Sequence, residues 1–287
     1  MRSIPVALSS IPRLSLASYP TPLEHLPRLS KELGREIYIK RDDGIGPAMG
    51  GNKTRKLEYL LADAQRRGAK KIVTFGGLQS NHARLTAAAC AALGFESHLF
   101  YFAKKPAKYE GNLLFNDLVG SRMHFIPFGG NNTQDLTLET TIRLVKIIAT
   151  LRLGTHYFIP VGGHNWLGCL GYVRAALEID EQARAMKIEK ARIVLAAGTG
   201  GTLGGLLAGL TLIDSPLKLS GIDIGKLWKG FPKSIAHLAN EIYDHLCGDD
   251  PSGHLRDVPT ERLYRFDASN VPIIENRYVG AGVCNTK

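Results

Sequence analysis

Short apolar runs alternate with helix-period segments through most of the chain. Ile72 to Phe75, His98 to Phe102, Met123 to Phe128, Tyr157 to Pro160, Ile193 to Ala196 and Leu219 to Ile224 are branched or aromatic runs too short for helices. Between them, apolar residues recur at three- and four-residue spacing. The pattern predicts an alanine-rich helix to about Leu93, a helix containing Leu113 to Leu118, and a long one from Asp135 to about Leu153. It predicts further helices from after Asn165 to about Ala183, from Thr202 to Leu210, and from Ile235 to Leu246. Helical crossovers between short branched strands make parallel sheets covered on both faces, an α/β fold. The first fifty residues are proline-punctuated instead. A short helix is expected near Leu23 to Leu33, closed by Gly34, followed by a strand over Glu36 to Lys40. Arg41-Asp42-Asp43 at its end reads as a local ion-pair and turn cluster with a structural role.

Candidate chemistry collects where glycines open loops. In Gly50-Gly51-Asn52-Lys53-Thr54-Arg55-Lys56-Leu57-Glu58, the face formed by Leu57, Leu60, Leu61 and Ala64 marks a helix that Gly68 ends. Lys53 then falls in the loop before the helix and Lys56 in its first turn. Lysines avoid helix N-termini, where the dipole already presents positive charge. Two amines there suit an anionic ligand that also needs an amine, although a plain turn before a surface helix reads the same way. Gln79-Ser80-Asn81-His82 offers a hydroxyl, two amides and an imidazole at a helix start, a place for a substrate carboxylate, or merely a cap supplied by Ser80 or Asn81. It lacks the GxSxG elbow of a serine hydrolase.

Gly198-Thr199-Gly200-Gly201-Thr202 follows an apolar strand and opens a glycine-rich helix, so successive N–H groups can cradle a phosphate. It is neither a Walker A loop nor a dinucleotide fingerprint, which points to an isolated phosphate. Close packing of the helix is the alternative reading of these glycines. The loops at Gly76, Gly162 and Gly198 follow strand ends, where open α/β sheets gather ligands, and with the Gly50 loop they can line one cleft. His82 and His164 lie in these loops without a Cys or Asp at metal spacing, so no metal site is expected. An amine loop, a phosphate nest and a carboxylate loop on one scaffold are the parts that pyridoxal phosphate requires.

Composition narrows this reading. The 287 residues carry 36 basic and 26 acidic side chains, a formal charge of +10, which attracts anions. The basic residues are scattered, with no nucleic-acid-binding motif, so an anionic small molecule is the expected partner. Cys90, Cys169, Cys247 and Cys284 are far apart, as in a reducing compartment. No apolar run reaches membrane-spanning length and no secretory signal is recognisable, so a cytoplasmic protein is expected.

From Pro20 to Gly282 the chain resembles the D-cysteine desulfhydrase / 1-aminocyclopropane-1-carboxylate deaminase family of fold-type-II pyridoxal-phosphate enzymes. The resemblance rests on Pro20-Thr21-Pro22-Leu23, Lys40-Arg41-Asp42-Asp43, the Gly50 to Glu58 segment, Gly76 to His82, and Pro160-Val161-Gly162-Gly163. It implies a two-domain, tryptophan-synthase-β-like α/β architecture. Residues 1–52 plus 163–287 would form the large cofactor-binding domain and 53–162 a smaller open-sheet domain. By resemblance Lys53 is the Schiff-base lysine, Lys56 contacts phosphate, and Ser80 handles the substrate carboxylate. Asn81 lies beside the cofactor ring, His82 adjoins the substrate, and Gly198, Thr199, Gly200, Gly201 and Thr202 form the phosphate loop. Homodimers are usual in this family.

Deaminases of the cyclopropane amino acid resemble Ser-Asn-Gln at the active loop. Ser80-Asn81-His82 therefore leans toward D-cysteine, giving pyruvate, ammonia and hydrogen sulfide. The deaminase reaction, giving 2-oxobutanoate and ammonia, is the alternative. His164 and Trp166 also depart from the family's Gly-Gly-Ser-Asn-Pro segment. Tyr278-Val279-Gly280-Ala281-Gly282 resembles the start of a further family segment, but Val283 and Cys284 stand where Tyr-Gly is expected. The resemblance then predicts a C-terminally shortened fold, lacking a second active-site tyrosine and a ring-nitrogen partner, with impaired catalysis.

Overall fold

The computed structural model describes residues 8–127, 138–224, 230–247 and 266–274. Near the N-terminus β1 (Leu23–His25) and β2 (Tyr38–Lys40) pair antiparallel around α1 (Pro27–Leu33). The helix expected from Leu23 is therefore shorter. Leu23–His25 are held extended by pairing with β2, and Pro27 supplies a ring-fixed φ at the first helical turn. Gly34 ends the helix in the left-handed conformation at φ 61°.

An all-parallel sheet follows, in the order β5-β4-β3-β6. Its strands are β3 (Lys71–Phe75), β4 (Glu96–Tyr101), β5 (Arg122–Phe125) and β6 (Tyr157–Phe158). Alternate side chains face opposite sides of a strand, and both sides of this sheet are covered. Helices α3 (Asn81–Leu93) and α4 (Gly111–Leu118) place Ala83, Ala87 and Leu113 against Leu99 and Tyr101. On the other side α5 (Leu138–Leu153) packs Val145 and Ala149 against Val73, Phe75 and Phe100. The expected strand and helix limits at Phe128 and Asp135 lie outside the described residues.

A second parallel sheet runs β7-β8-β9, formed by β7 (Arg192–Ala197), β8 (Lys218–Asp223) and β9 (Ile273–Ile274). Helices α6 (Trp166–Ala185), α7 (Gly201–Leu212) and α8 (Phe231–Cys247) share its core through Val173, Leu206, Leu238 and Ile242. Glycine packing is real in α7: a β-carbon on Gly209 would stand 2.6 Å from that of Ala176 in α6.

The remaining helix, α2 (Lys53–Arg66), is buried without interruption from Thr54 to Ala64. Leu57, Leu60, Leu61 and Ala64 pack with Ile72, Leu85 and Ile159 on the first sheet's side. Tyr59 joins Cys169 and Val173 in the second core. Among the described residues, no helix is long and apolar enough to cross a membrane.

Candidate active site

The buried stretch of α2 includes Arg55, Lys56, Glu58 and Asp63, and an unpaired buried charge is costly. Three of these charges are matched. Arg55 donates to Asp42 at 2.7 and 2.8 Å and to Glu178 at 2.9 Å. Glu58 accepts from Arg13 at 2.8 Å and from the Leu16 amide at 2.9 Å. Asp63 takes Arg66 at 2.9 Å, Arg67 at 2.8 Å and the Tyr157 hydroxyl at 2.9 Å. Lys56 is the exception. Its amine donates to the Gly162 carbonyl at 3.1 Å and has no carboxylate partner among the described residues. Burial pushes its pKa down.

Lys53 is the first residue of α2 rather than part of the preceding loop, because Asn52 already occupies the cap position. Its amine donates to Asn52 Oδ1 at 3.0 Å and likewise lacks a carboxylate. The residue as a whole is half-buried. The amine itself is enclosed, and burial first, then the charge of Lys56, lowers its pKa to about 7.

Four loops meet around this pair. Asn52 Nδ2 donates to Thr202 Oγ1 at 2.9 Å, joining the lysine loop to the start of α7. Gly200 caps α7 with φ 82° and no side-chain hydrogen bond, so the first N–H groups of that helix receive no side-chain cap. At Gly201 a β-carbon would stand 2.6 Å from Lys56 Nζ and 3.0 Å from Cys169 Sγ, so glycine there leaves the amine its place. Thr199 Oγ1 would stand 2.6 Å from a β-carbon on Gly162, whereas Gly198 has open space beside it. The lysine loop also meets α3. Arg84 donates to Gly50 O at 3.3 Å and to Ala48 O. The loops after β3, β6 and β7 thus converge at the carboxyl ends of their strands.

Ser80 caps α3, its Oγ accepting from the Ala83 amide at 3.2 Å. Asn81 Oδ1 accepts from Asn112 at 3.0 Å, and Gln79 Oε1 from the Asn112 amide at 2.8 Å, so α4 fixes this loop. His82 is buried behind the loop, with Nε2 3.0 Å from Thr74 Oγ1. Thr74 donates its own proton to Ile159 O at 2.8 Å, which makes His82 Nε2 the donor and the imidazole neutral at Nδ1. Burial, then the charges of Lys53 and Lys56, hold its pKa well below the ordinary range. His164 is depressed to about 4 by burial and by Lys56. Trp166, the first residue of α6, stacks on His245 with ring centroids 3.7 Å apart. Among the described residues, no group of three or more His, Cys, Asp and Glu side chains could hold a metal.

Sequence reasoning missed several supports. Asp42 is not part of a merely local cluster: it binds Arg55 and accepts from Tyr172 at 2.9 Å, while Arg41 and Asp43 pair with each other. Arg84 had no signal beyond its position one turn into α3. The family segment at Tyr278 to Cys284 lies outside the described residues.

Comparison with known proteins bears on this geometry. Residues 14–247 match the family model described as pyridoxal-phosphate dependent enzyme. A D-cysteine desulfhydrase of Klebsiella pneumoniae (strain 342) is 43% identical over 227 residues, 76% of this chain and 66% of the relative. One of Serratia proteamaculans (strain 568) is 44% identical over 224 residues, with the same two shares of 76% and 66%. The chain therefore spans just under two thirds of the length of these curated relatives. The crystal structure of an ACC deaminase homologue is 36% identical with TM-score 0.75, covering 86% of this chain and 73% of that one. Apo diaminopropionate ammonia lyase of Escherichia coli, 19% identical with TM-score 0.55, covers 76% of this chain and 62% of its own, and shares the fold alone. With a matched span that holds both lysines and all four glycine loops, this chain belongs to the pyridoxal-phosphate dependent enzyme family and has its fold-type-II α/β architecture.

Proposed function

We propose that the protein is a carbon–sulfur lyase using pyridoxal phosphate to eliminate the β-thiol of a small amino acid, D-cysteine. The observation that carries this reading is a pair of enclosed lysines that have no carboxylate partner among the described residues, at the meeting point of four loops. The residues fit the cofactor. Lys56 and the amides opening α7 offer an anion its charge and donors, and Gly201 keeps a side chain out of that space. Lys53 offers a second amine, about half of it neutral near pH 7. Lys56 and residues Gly198 to Thr202 would hold the phosphate, Lys53 the carbonyl carbon, and Asn81 the ring.

When bound, the cofactor supplies an electron-withdrawing ring that stabilises negative charge at the substrate α-carbon. Lys53 Nζ, being neutral, takes the α-proton as general base. Ser80 uses one oxygen lone pair for the Ala83 amide and keeps its O–H proton to bind the substrate carboxylate. His82, neutral and fixed by Thr74, packs behind this helix end and holds the loop that carries Ser80 and Asn81. Net, D-cysteine and water give pyruvate, ammonia and hydrogen sulfide.

The similarity to desulfhydrases favours this substrate, and that to an ACC deaminase homologue supports deamination of 1-aminocyclopropane-1-carboxylate as the second reading. Assaying both compounds with saturating cofactor separates the two. Sulfide and pyruvate from D-cysteine without 2-oxobutanoate support the lyase. 2-Oxobutanoate alone overturns the substrate, and no keto acid from either overturns elimination.

The same reading proposes a cytoplasmic homodimer, which fractionation and sedimentation velocity test. It also proposes two domains, 53–162 and 1–52 plus 163–287, with the lysine loop and Gly162 at the crossings. Limited proteolysis cutting first near those crossings is the expected outcome.

A further inference from the structure

α2 turns about 100° per residue, so Arg55, Glu58 and Tyr59 lie about 120–160° round the helix from Lys53, with Lys56 between Tyr59 and Lys53. On that far side lies a cavity of about 550 Å³, between α2, α6 and the segment from Leu8 to Pro20. Most charges in its wall are already matched. Arg55 holds Asp42 and Glu178, Glu58 takes Arg13 and the Leu16 amide, and Glu178 also takes Lys40 at 2.5 Å.

Three donors are left over. Tyr59 is fully buried, yet its hydroxyl has no hydrogen-bond partner among the described residues. The hydroxyl of Tyr19 is buried in the same condition, its ring held between Arg55 at 4.5 Å and Arg13 at 5.3 Å. Arg174 lies beside Tyr59, its charge acting on that hydroxyl, and pairs with no carboxylate among the described residues. Burial keeps both phenols protonated and able to donate. Leu8, Leu177 and Ala185 supply apolar wall. A pocket of this size, mostly apolar with a few convergent polar groups, suits a small organic ligand.

We propose that this cavity binds a small organic carboxylate, its head on Arg174, Tyr59 and Tyr19 and its carbon tail against Leu8, Leu177 and Ala185. Two phenols and an otherwise unmatched guanidinium require an acceptor that also carries negative charge. Nothing in the cofactor reading uses these groups, so the site stands apart from it.

Propionate, which has neither amine nor keto group, is the probe, titrated calorimetrically into the protein saturated with pyridoxal phosphate. We expect wild type and Ser80→Ala to bind it equally, Tyr59→Phe at least fivefold more weakly, and Arg174→Gln at least twentyfold more weakly. Tyr59→Phe keeps the packed ring, so it decides the question if Arg174→Gln does not fold. No binding to wild type would mean that water alone fills the cavity and would overturn the proposal. So would binding lost in Ser80→Ala but kept in Tyr59→Phe, which would put the anion at the lysines.

Discussion

The depressed pKa of Lys53 gives the sharpest test of the site, with pH and Lys56→Met as the perturbations. Its fall from the ordinary 10.5 to about 7 makes the charged amine roughly 5 kcal/mol less favourable than in water, at 1.36 kcal/mol per unit. At pH 7.5 such an amine is roughly three-quarters neutral, against about one part in a thousand for an ordinary lysine. Neutral amines attack carbonyls, so a short exposure to substoichiometric pyridoxal phosphate, then borohydride and peptide mapping, should place the label on Lys53. The labelling rate should be half-maximal near pH 7 and level above about pH 8. Lys56→Met removes the second cause of the shift and should move the midpoint upward. Stability follows with a definite sign. Between about pH 7 and 10.5 the unfolded chain holds a proton on Lys53 that the folded chain does not, so folding of the apoprotein strengthens as pH rises through that window. Label that climbs tenfold per pH unit up to pH 9, or that spreads over surface lysines by exposure, would refute the reasoning.

Gly201→Ala should leave the fold intact, because its β-carbon meets chiefly the flexible tip of Lys56 while Cys169 Sγ, at 3.0 Å, need give only a few tenths of an ångström, yet displace that amine. Cofactor affinity measured by equilibrium dialysis should fall at least about tenfold, near 1.4 kcal/mol, and an unchanged affinity would remove Lys56 from the phosphate site. Arg55→Gln leaves Asp42 without a cation and Glu178 with Lys40 alone in a largely buried network, and should cost about 3 kcal/mol in urea unfolding. Ser80→Ala loses an N-cap worth about 1 kcal/mol of stability. If Ser80 binds the substrate carboxylate, turnover falls by far more than that loss predicts, and a rate within twofold of wild type would limit it to capping.

The alternation of strand and helix, and the glycine loops at strand ends, were legible because period and backbone freedom are local properties. Four features were not. The strand at Leu23 to His25 exists only through its pairing with Tyr38 to Lys40, and three residues carry no usable period. The two-residue strand at Ile273-Ile274 likewise depends on its neighbour Gly221-Ile222. Asp42 read as part of a turn because its partners, Arg55 and Tyr172, come from two helices that meet only in the folded chain. Lys53 and Lys56 stood out in the sequence, but that neither has a counterion among the described residues could be seen only once Arg55, Glu58 and Asp63 had been matched.

Helix α2 also sets how the molecule is made. Its two apolar sides close two different cores, so releasing either sheet strips a wall from the other. Its amides should therefore exchange with solvent only through global opening, and last among the slow ones. On the ribosome the helix emerges long before its charge partner, since Arg55 and Glu178 lie 123 residues apart. Until α6 follows, a nascent chain carries an amphipathic helix with one apolar side and several charges uncovered. That interval is when aggregation competes with folding and when chaperones have most to hold.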